Sequence, residues 1–217
     1  MRGKLLKGKD SGRLLVFFTG WGFDERPFET LAAQSPFDVY VVYDYRELKA
    51  LSLPGGYREH LFLGWSLGGT VALHLGVYRR GPLYLLGATG YFCHERFGIP
   101  PKIYALTLQG LKRKKEESLF SFYERAFSGE EGLDVFWPCR PRRPLDELIE
   151  ELEKTKDLGT PPPQGANIKV LITGKDRIIP PRAQRLYWEG RAGVERPFGH
   201  FPFYRFEDFA GLLSEFS

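Results

Sequence analysis

The chain has 217 residues, of which 42% are hydrophobic and 15% aromatic, and a formal net charge of +4 at pH 7. This length suffices for one globular domain with a sizeable core, and the composition excludes an intrinsically disordered chain. No apolar run approaches the ~20 residues of a membrane span, the N-terminus lacks the apolar segment of a signal peptide, and no basic stripe is interleaved with aromatics, so we expect neither membrane insertion nor nucleic-acid binding.

Five short apolar runs, each bounded by glycine or proline, predict buried strands at residues 13–18, 39–43, 61–63, 83–88 and 168–173. Strands that are apolar on both faces are typical of a mainly parallel sheet with helices on both sides. Helical patterns occur at residues 26–34, 70–78 and 207–216. This alternation predicts an α/β fold with a mostly parallel central sheet flanked by helices.

The interval between the fourth and fifth predicted strands is far longer than an ordinary crossover connection. Helical patterns fill much of it, at residues 103–111, 119–127 and 144–156, and a proline-rich connector follows at residues 159–165. The third pattern has apolar residues at i, i+3, i+4 and i+7, which indicates an amphipathic helix. We therefore predict a helical lid with its connector at residues 90–167, inserted into a core of residues 1–89 and 168–217.

The third predicted strand leads directly into the motif Gly-Trp-Ser-Leu-Gly at residues 64–68, with Ser66 at its centre. A strand that turns sharply into a helix through G-x-S-x-G presents the serine hydroxyl as a nucleophile, and glycines flank the serine because a Cβ there would clash. The motif alone is expected by chance in about one such chain in eight. The motif therefore indicates a nucleophile only if the other residues of a catalytic site are also present.

A serine nucleophile needs a base and an acid that orients the base. Asp176 follows the fifth predicted strand, at the end of the sheet where α/β proteins place their sites, and His200 lies just before the terminal helix. The order Ser, Asp, His is that of α/β-hydrolases. Taken alone, Asp176 also fits a turn-forming role. We expect His60 and His74 to be structural, whereas His94, at the entrance of the lid, is a candidate for substrate contact.

Two backbone N–H groups are candidates for stabilising an oxyanion. One belongs to Leu67, immediately after the nucleophile, and the other to Trp21, in the glycine-flanked loop after the first long strand. Taken alone, this loop also fits a simple turn with a packed aromatic ring. Four parts in this order, each at the carboxyl end of a strand, predict acyl transfer through a serine ester.

With these residues the chain resembles the α/β-hydrolases and, more narrowly, the BioG type of pimeloyl-[acyl-carrier protein] methyl ester esterase, which is functionally analogous to BioH. The matching segments run from the first long strand to the last helix: residues 17–24, 64–68, 87–90, 97–101, 176–180, Gln184, Trp188 and residues 200–203. The resemblance therefore covers nearly the whole chain. Residues 93–95 depart from the acidic, proline-containing stretch of that family.

The resemblance implies hydrolysis of the methyl ester of pimeloyl-[acyl-carrier protein] to free pimeloyl-[acyl-carrier protein] and methanol, a step in biotin biosynthesis. It implies Ser66 as nucleophile, Asp176 as orienting acid and His200 as base. It also implies Trp21 and Leu67 as the oxyanion donors. The fold that it implies is the α/β-hydrolase fold with an inserted helical lid.

An acyl carrier protein is acidic, so its docking surface should be basic. The candidates in the lid are Lys112, Arg113, Lys114, Lys115, Arg140, Arg142 and Arg143. Residues 96–157 contain twelve basic and twelve acidic residues, so only a lid with its charges on separate faces would serve. A second basic face is offered near the acid loop by Arg177, Arg182 and Arg185.

Two other functions remain open from the sequence. One is a small-ester carboxylesterase or a thioesterase with the same three residues, and the other is a binding module that has kept only the hydrolase fold. No metal-ligand spacing is present, so we expect neither a metal nor another cofactor. Cys93 and Cys139 are too few for a disulfide scaffold, which makes a cytoplasmic location the default expectation. A monomer is expected.

Overall fold

The structure is a computed structural model, and it describes residues 1–9, 12–49, 52–164, 167–191 and 193–217. Its centre is a seven-stranded sheet with the order β1-β3-β2-β4-β5-β6-β7. The strands are β1 Arg2–Leu6, β2 Arg13–Phe18, β3 Asp38–Tyr43, β4 Glu59–Trp65, β5 Leu83–Leu86, β6 Ile168–Thr173 and β7 Val194–Arg196. Only β1 runs antiparallel to its neighbour, and all other pairings are parallel.

Eight α-helices accompany the sheet in the described part of the chain: α1 Glu29–Gln34, α2 Leu67–His74, α3 Pro101–Lys114, α4 Glu116–Ala126, α5 Leu133–Cys139, α6 Leu145–Thr155, α7 Pro181–Tyr187 and α8 Phe209–Ser214. Short 3-10 helices are present at Arg26–Phe28, Val77–Arg79 and Phe203–Arg205. The sheet is mostly parallel with flanking helices, which confirms the predicted fold class.

The five predicted strands are all present, because their continuous apolar runs are buried in the sheet; β2, for example, is buried at every residue after Arg13. The two strands that the sequence does not reveal, β1 and β7, are the edges of the sheet. They are partly exposed and polar, so they lack the continuous apolar pattern that indicates a central strand. The helix predicted at residues 70–78 instead begins at Leu67 and ends at His74, since Gly76 takes a left-handed φ of 65° and ends it.

Four helices, α3 to α6, lie between β5 and β6; we call them the helical insert. Three of them coincide with the predicted helical patterns, and α5 was not predicted. The proline-rich connector is tied to the loop after β5 by the hydrogen bond from Thr160 N–H to Gly90 O, at 2.9 Å. Gly165, at the end of the predicted connector, lies outside the described residues. The division of the chain into a core and a lid stays a prediction.

A buried ion pair within the insert, between Arg143 and Glu151, contacts the residues that follow β3. The carboxylate of Glu151, in α6, is fully buried and accepts hydrogen bonds from Tyr45 N–H, at 2.5 Å, and from Arg143 Nη1, at 2.8 Å. Burial raises the pKa of Glu151 although Arg143 opposes the rise. Asp44, which follows β3, is also near Arg143, with 3.5 Å between its Oδ1 and Arg143 Nη2. These charges fix α6 against the carboxyl end of β3.

Within the described ranges, no helix combines the length and the apolar character that crossing a membrane requires.

Removing one partner of the buried pair should be far more damaging than removing both. We expect R143M to lower the free energy of unfolding by about 3 kcal/mol or more, because Glu151 is left buried without its cation. The double variant R143M/E151L should recover most of this loss, as measured by urea unfolding. Equal losses in the single and double variants would show that the loss does not come from leaving Glu151 buried without its cation.

Candidate active site

Ser66 occupies the sharp turn between β4 and α2. Its backbone has φ 57° and ψ −128°, a left-handed conformation that is strained in a residue with a Cβ, and the residue is almost fully buried. The carbonyl of Ser66 accepts hydrogen bonds from the N–H groups of Gly69 and Thr70, at 3.0 and 3.3 Å, which hold the start of α2. The turn that the motif predicts is therefore present.

Two glycines allow backbones to approach closely around this turn. A Cβ on Gly68 would overlap the carbonyl oxygens of Phe18 and Thr19 at the end of β2. A Cβ on Gly20 would lie 3.2 Å from the Cβ of Ser66. The loop after β2 therefore contacts the turn at Ser66 closely. The absence of side chains at Gly20 and Gly68 permits this contact.

The two predicted oxyanion donors are available. Within the described ranges, neither the N–H of Trp21 nor that of Leu67 donates to another residue. Leu67 is the first residue of α2, where backbone N–H groups have no partner within the helix. Trp21 belongs to the loop that Gly20 brings against Ser66. Both N–H groups therefore belong to segments next to Ser66 and have no partner among the described residues, as oxyanion donors require.

Asp176 and His200 form a direct, buried pair. Asp176 Oδ2 and His200 Nδ1 are 2.8 Å apart, and both side chains are almost completely excluded from solvent. Because an ionised carboxylate can only accept, we assign the proton of the neutral ring to Nδ1, which leaves Nε2 as an acceptor. The other carboxylate oxygen accepts from the N–H groups of Ile178 and Ile179, at 2.7 and 2.9 Å. These contacts fix the carboxylate.

Two further polar residues complete the surroundings of Asp176. Thr173, the last residue of β6, donates its hydroxyl to Asp176 Oδ2 at 2.8 Å. Gln184, in α7, is fully buried; its amide nitrogen is 2.9 Å from Ile179 O and 3.3 Å from Asp176 Oδ2, and its oxygen accepts from Thr173 N–H at 3.0 Å. Gln184 therefore ties the acid loop to both β6 and α7.

The loop that carries His200 is held from two sides. Trp65, the residue before the nucleophile, donates its indole N–H to His200 O at 2.8 Å, and the two rings are 5.2 Å apart. On the other side, Phe201 N–H donates to Ala126 O at the end of α4, at 3.1 Å, and the Phe201 ring stacks 4.4 Å from Phe127. The position of His200 thus depends on both the elbow and the helical insert.

Ser66 and His200 are not joined by a hydrogen bond. Among the described residues, Ser66 Oγ has no hydrogen-bonding partner, and the His200 ring bonds only to Asp176. The structure therefore brings Asp176 and His200 together directly, and it brings Ser66 to them through Trp65. Contacts of a catalytic serine with its base are often long without substrate and tighten when it binds. The complete triad stays a prediction.

The helical insert also holds the loop that contains Trp21. The indole N–H of Trp21 donates to Leu148 O in α6, at 2.9 Å, and the ring packs edge-on to Phe122 in α4, at 4.7 Å. Tyr123 donates its hydroxyl to Gly22 O at 2.7 Å; burial raises the pKa of this phenol, so it stays protonated. The backbone of the loop is therefore rigid at the place where an oxyanion would bind.

A mainly apolar pocket opens between these catalytic loops and the insert; we call it the acyl pocket. Its walls are formed by Trp21, by Arg177 and Ile178, by the helices α3, α4 and α6, and by the segment before α3. The lining residues are Trp21, Phe92, Ile99, Ile103, Tyr104, Thr107, Phe122, Arg125, Leu152, Arg177 and Ile178. Such a pocket suits the aliphatic chain of an ester, and its two arginines are the charged members of this lining.

The predicted docking residues differ in their exposure and in whether they pair with a carboxylate. Lys112 pairs with Glu153 at 2.5 Å and Lys114 with Glu117 at 3.0 Å. Exposed side chains are found at Arg113, Lys115, Arg140 and Arg142, and the first two have no carboxylate within 4.0 Å in the described ranges.

Arg143 is a correction to this set. Only 3% of its side chain is exposed, because it lies on the side of the insert that faces the sheet, where it pairs with Glu151. It is therefore not available to a carrier protein.

His94 has a local role rather than a place in the acyl pocket. Its Nδ1 accepts from the N–H groups of Arg96 and Phe97, at 3.1 and 3.2 Å, and its ring stacks on Phe97. It thus closes the turn before α3, and it is not among the residues that line the pocket. In the described part of the chain, no three His, Cys, Asp or Glu residues gather closely enough to hold a metal ion.

The residues that sequence reasoning did not assign are those that position others: Trp65, Thr173, Gln184 and Phe201. Trp65 occupies a variable position of the elbow motif, and nothing in the sequence connects it to a residue 135 positions away. The resemblance did single out Gln184 and Trp188 without giving them a role. Trp188 donates its indole N–H to Ala88 O at 2.7 Å, next to the elbow.

Comparison with known proteins agrees with this geometry. The model of the family described as pimeloyl-ACP methyl esterase BioG matches residues 1–212. The crystal structure of BioG from Haemophilus influenzae superposes with a TM-score of 0.80 and 26% identity, over 98% of this chain and 99% of that one. An esterase from Exiguobacterium antarcticum shares the fold, with a TM-score of 0.75 and 18% identity over 99% of this chain and 94% of that one.

Two relatives are similar in sequence. An uncharacterized protein of Haemophilus influenzae is 28% identical over 208 residues, which are 92% of this chain and 93% of that protein. A malonyl-[acyl-carrier protein] O-methyltransferase of Bacteroides fragilis is 32% identical over 183 residues, which are 81% of this chain but only 36% of that protein. Together with the family match, the fold and its neighbours establish a hydrolase of the esterase class.

The tether from Trp65 to His200 can be tested by removing the indole N–H while keeping an aromatic ring. We expect W65F to lower kcat about tenfold with little change in KM, because His200 loses a buried anchor of its backbone. The matched control is W188F, which loses a similar buried bond, to Ala88 O, that does not involve His200. Equal kcat values in the two variants would contradict the tether, and thermal unfolding would report any general loss of stability.

Proposed function

Because this chain belongs to the BioG family of pimeloyl-ACP methyl esterases, we propose that it hydrolyses the methyl ester of pimeloyl-[acyl-carrier protein] to free pimeloyl-[acyl-carrier protein] and methanol. In this proposal Ser66, Asp176 and His200 are the catalytic triad, and the N–H groups of Trp21 and Leu67 form the oxyanion hole. The reaction would release the carboxylate that later steps of biotin biosynthesis require.

The observation that carries the proposal is the family match over residues 1–212, which spans every part of the candidate site. The geometry supports it independently of the family name. A strained serine, a buried Asp–His pair and two free N–H donors are the groups that ester hydrolysis through an acyl-enzyme needs. All of them lie at the carboxyl ends of neighbouring parallel strands, where α/β sheets place their sites.

The proposed reaction has two halves. Ser66 Oγ attacks the carbonyl carbon of the methyl ester while His200 Nε2 takes the hydroxyl proton, and the N–H groups of Trp21 and Leu67 stabilise the oxyanion. The tetrahedral intermediate expels methoxide, which leaves as methanol with the proton from His200. A water molecule, deprotonated by His200, then attacks the acyl-enzyme; the bond to Ser66 Oγ breaks and the serine regains its proton. Asp176 keeps His200 oriented and stabilises the imidazolium.

The acyl pocket supports an ester with an aliphatic chain. It begins at Trp21 and Ile178, beside the catalytic loops, and continues between α3, α4 and α6. Burial of methylene groups against Phe92, Ile99 and Leu152 would contribute about 0.8 kcal/mol for each CH₂. Binding energy of this kind would favour a medium-length acyl chain over a short ester.

Replacing the nucleophile gives the first test. We expect S66A to lower the rate of methanol release from the carrier-bound methyl ester by at least about 10³-fold, because no other group in the site can form the ester bond. The variant should unfold at the wild-type temperature or slightly above it, since the strain at φ 57° remains. Unchanged turnover in S66A would refute the assignment of Ser66.

The substrate needs a separate comparison. We expect the wild-type enzyme to prefer the methyl ester of pimeloyl-[acyl-carrier protein] to short p-nitrophenyl esters by at least about tenfold in kcat/KM, because the short esters leave the acyl pocket empty. The same gene should restore growth without biotin to cells that lack their own esterase. Turnover of the short esters alone would leave the small-ester carboxylesterase as the function, and hydrolysis at the thioester instead would indicate a thioesterase.

A further inference from the structure

A second cavity lies beside the acyl pocket, between α3 and α4; we call it the α3–α4 groove. It is lined by Ile103, Leu106, Thr107, Gly110, Lys114, Glu117, Ser118, Ser121, Phe122 and Arg125. Four of these residues, Ile103, Thr107, Phe122 and Arg125, also line the acyl pocket. The two cavities therefore adjoin at this end of the groove.

We propose that the α3–α4 groove receives the prosthetic arm that carries the acyl group, with Arg125 donating hydrogen bonds to carbonyl oxygens at the acyl end of that arm. This inference rests on the proposed function and adds the route by which the substrate enters. The arm of an acyl carrier protein is an extended chain with a phosphodiester at one end, two amides along its length and the acyl thioester at the other. It needs an open path rather than a closed pocket.

The lining of the groove fits that chemistry. Ser118 and Ser121 offer hydroxyl groups to amides, while Ile103 and Phe122 offer apolar contact to the methylene groups between them. At Gly110 the two helices come close, since a Cβ there would lie 3.0 Å from Ser118 Oγ. An extended chain with both polar and apolar parts matches a groove that is lined by both hydroxyl groups and apolar side chains.

Arg125 is the cation that the groove leaves uncompensated. Lys114 and Glu117, the other charged residues of the lining, pair with each other at 3.0 Å. In the described ranges, Arg125 has no carboxylate within 4.0 Å, although it lies where the groove and the acyl pocket meet. A guanidinium group in this position is suited to the carbonyl oxygens at the acyl end of the arm, because all of its N–H groups are donors.

The outer rim of the groove is apolar. Ile103 is 44% exposed and Leu106 is 54% exposed, although both are large aliphatic side chains. They lie on α3, a helix whose 14 residues include four basic residues and no acidic one. A basic helix with exposed aliphatic side chains complements an acidic protein surface with an apolar centre, so the carrier protein itself would rest on α3 while its arm enters the groove.

Blocking the groove gives the first test. S121W places a large side chain in the groove, and E59W places the same side chain at the exposed start of β4, at the opposite end of the strands. For each variant the measurement is the ratio of kcat/KM for the carrier-bound methyl ester to kcat/KM for a short p-nitrophenyl ester. We expect this ratio to fall at least tenfold in S121W and to stay at the wild-type value in E59W. A ratio that is unchanged in S121W, or that falls equally in both, overturns the proposed route.

Arg125 is tested by a neutral substitution. R125Q should raise KM about tenfold for the carrier-bound ester with little effect on kcat, because the lost contact binds the arm and not the reacting ester. R58Q, which removes an exposed arginine at the opposite end of the strands, should leave KM unchanged. The same measurement on a coenzyme A thioester that bears the methyl ester distinguishes binding of the arm from binding of the carrier protein. That substrate shares the arm but lacks the protein.

The outcomes separate the route from the function. If the wild-type enzyme hydrolyses the carrier-bound ester and S121W and R125Q do so equally well, the route is wrong and the proposed function stands. A response of both variants with the coenzyme A ester but not with the carrier-bound ester would show that free arm-bearing thioesters, and not the carrier, use the groove. A wild-type enzyme that hydrolyses neither arm-borne ester overturns both proposals. Thermal unfolding of each variant shows that the fold is kept.

Discussion

The site depends on the strained backbone of Ser66, which only close packing can maintain. A left-handed φ in a residue with a Cβ costs about 1–3 kcal/mol, and it persists because the surrounding elements leave the chain no alternative. β4 lies between β2 and β5, and the start of α2 presses on the end of β2 where Gly68 has no side chain. Each neighbouring element therefore constrains the turn. The packing of the whole sheet holds the backbone of Ser66 in its strained conformation.

The aromatic residues extend this constraint to the base and to the helical insert. Trp65 reaches from the elbow to the His200 loop, and Phe201 reaches from that loop to Phe127, directly after α4, and to Phe136 in α5. Phe23, in the loop after β2, stacks on Phe201 at 5.4 Å and packs edge-on to Trp65 at 4.7 Å. The elbow, the His200 loop and the loop after β2 thus share one packed cluster. A shift of the insert would therefore displace all three segments.

The insert consequently has two kinds of contact with the core. Toward the sheet it is fixed by buried bonds, among them the bond from Tyr45 N–H to Glu151 and the bond from the Trp21 indole N–H to Leu148 O. Toward solvent it forms the walls of the acyl pocket and the α3–α4 groove, where aliphatic side chains remain exposed. The same helices that hold the oxyanion loop in place therefore shape the space for the substrate, which couples the geometry of the reaction to the choice of substrate.

The sequence by itself determined the five inner strands of the sheet and most helices of the insert, and it predicted the candidate catalytic residues. Continuous apolar runs are sufficient evidence for buried strands, and the elbow motif, Asp176 and His200 occur in the order of one known fold. The tertiary structure alone decided which side chains hold these residues in position and which charges are free. Trp65 and His200, Phe201 and Ala126, and Arg143 and Glu151 meet only after the chain has folded, and no local pattern records such pairs. Arg143 and Arg125 are alike in sequence, yet one is buried against a carboxylate and the other lies at a cavity, because burial is a property of the packed elements and not of the residue.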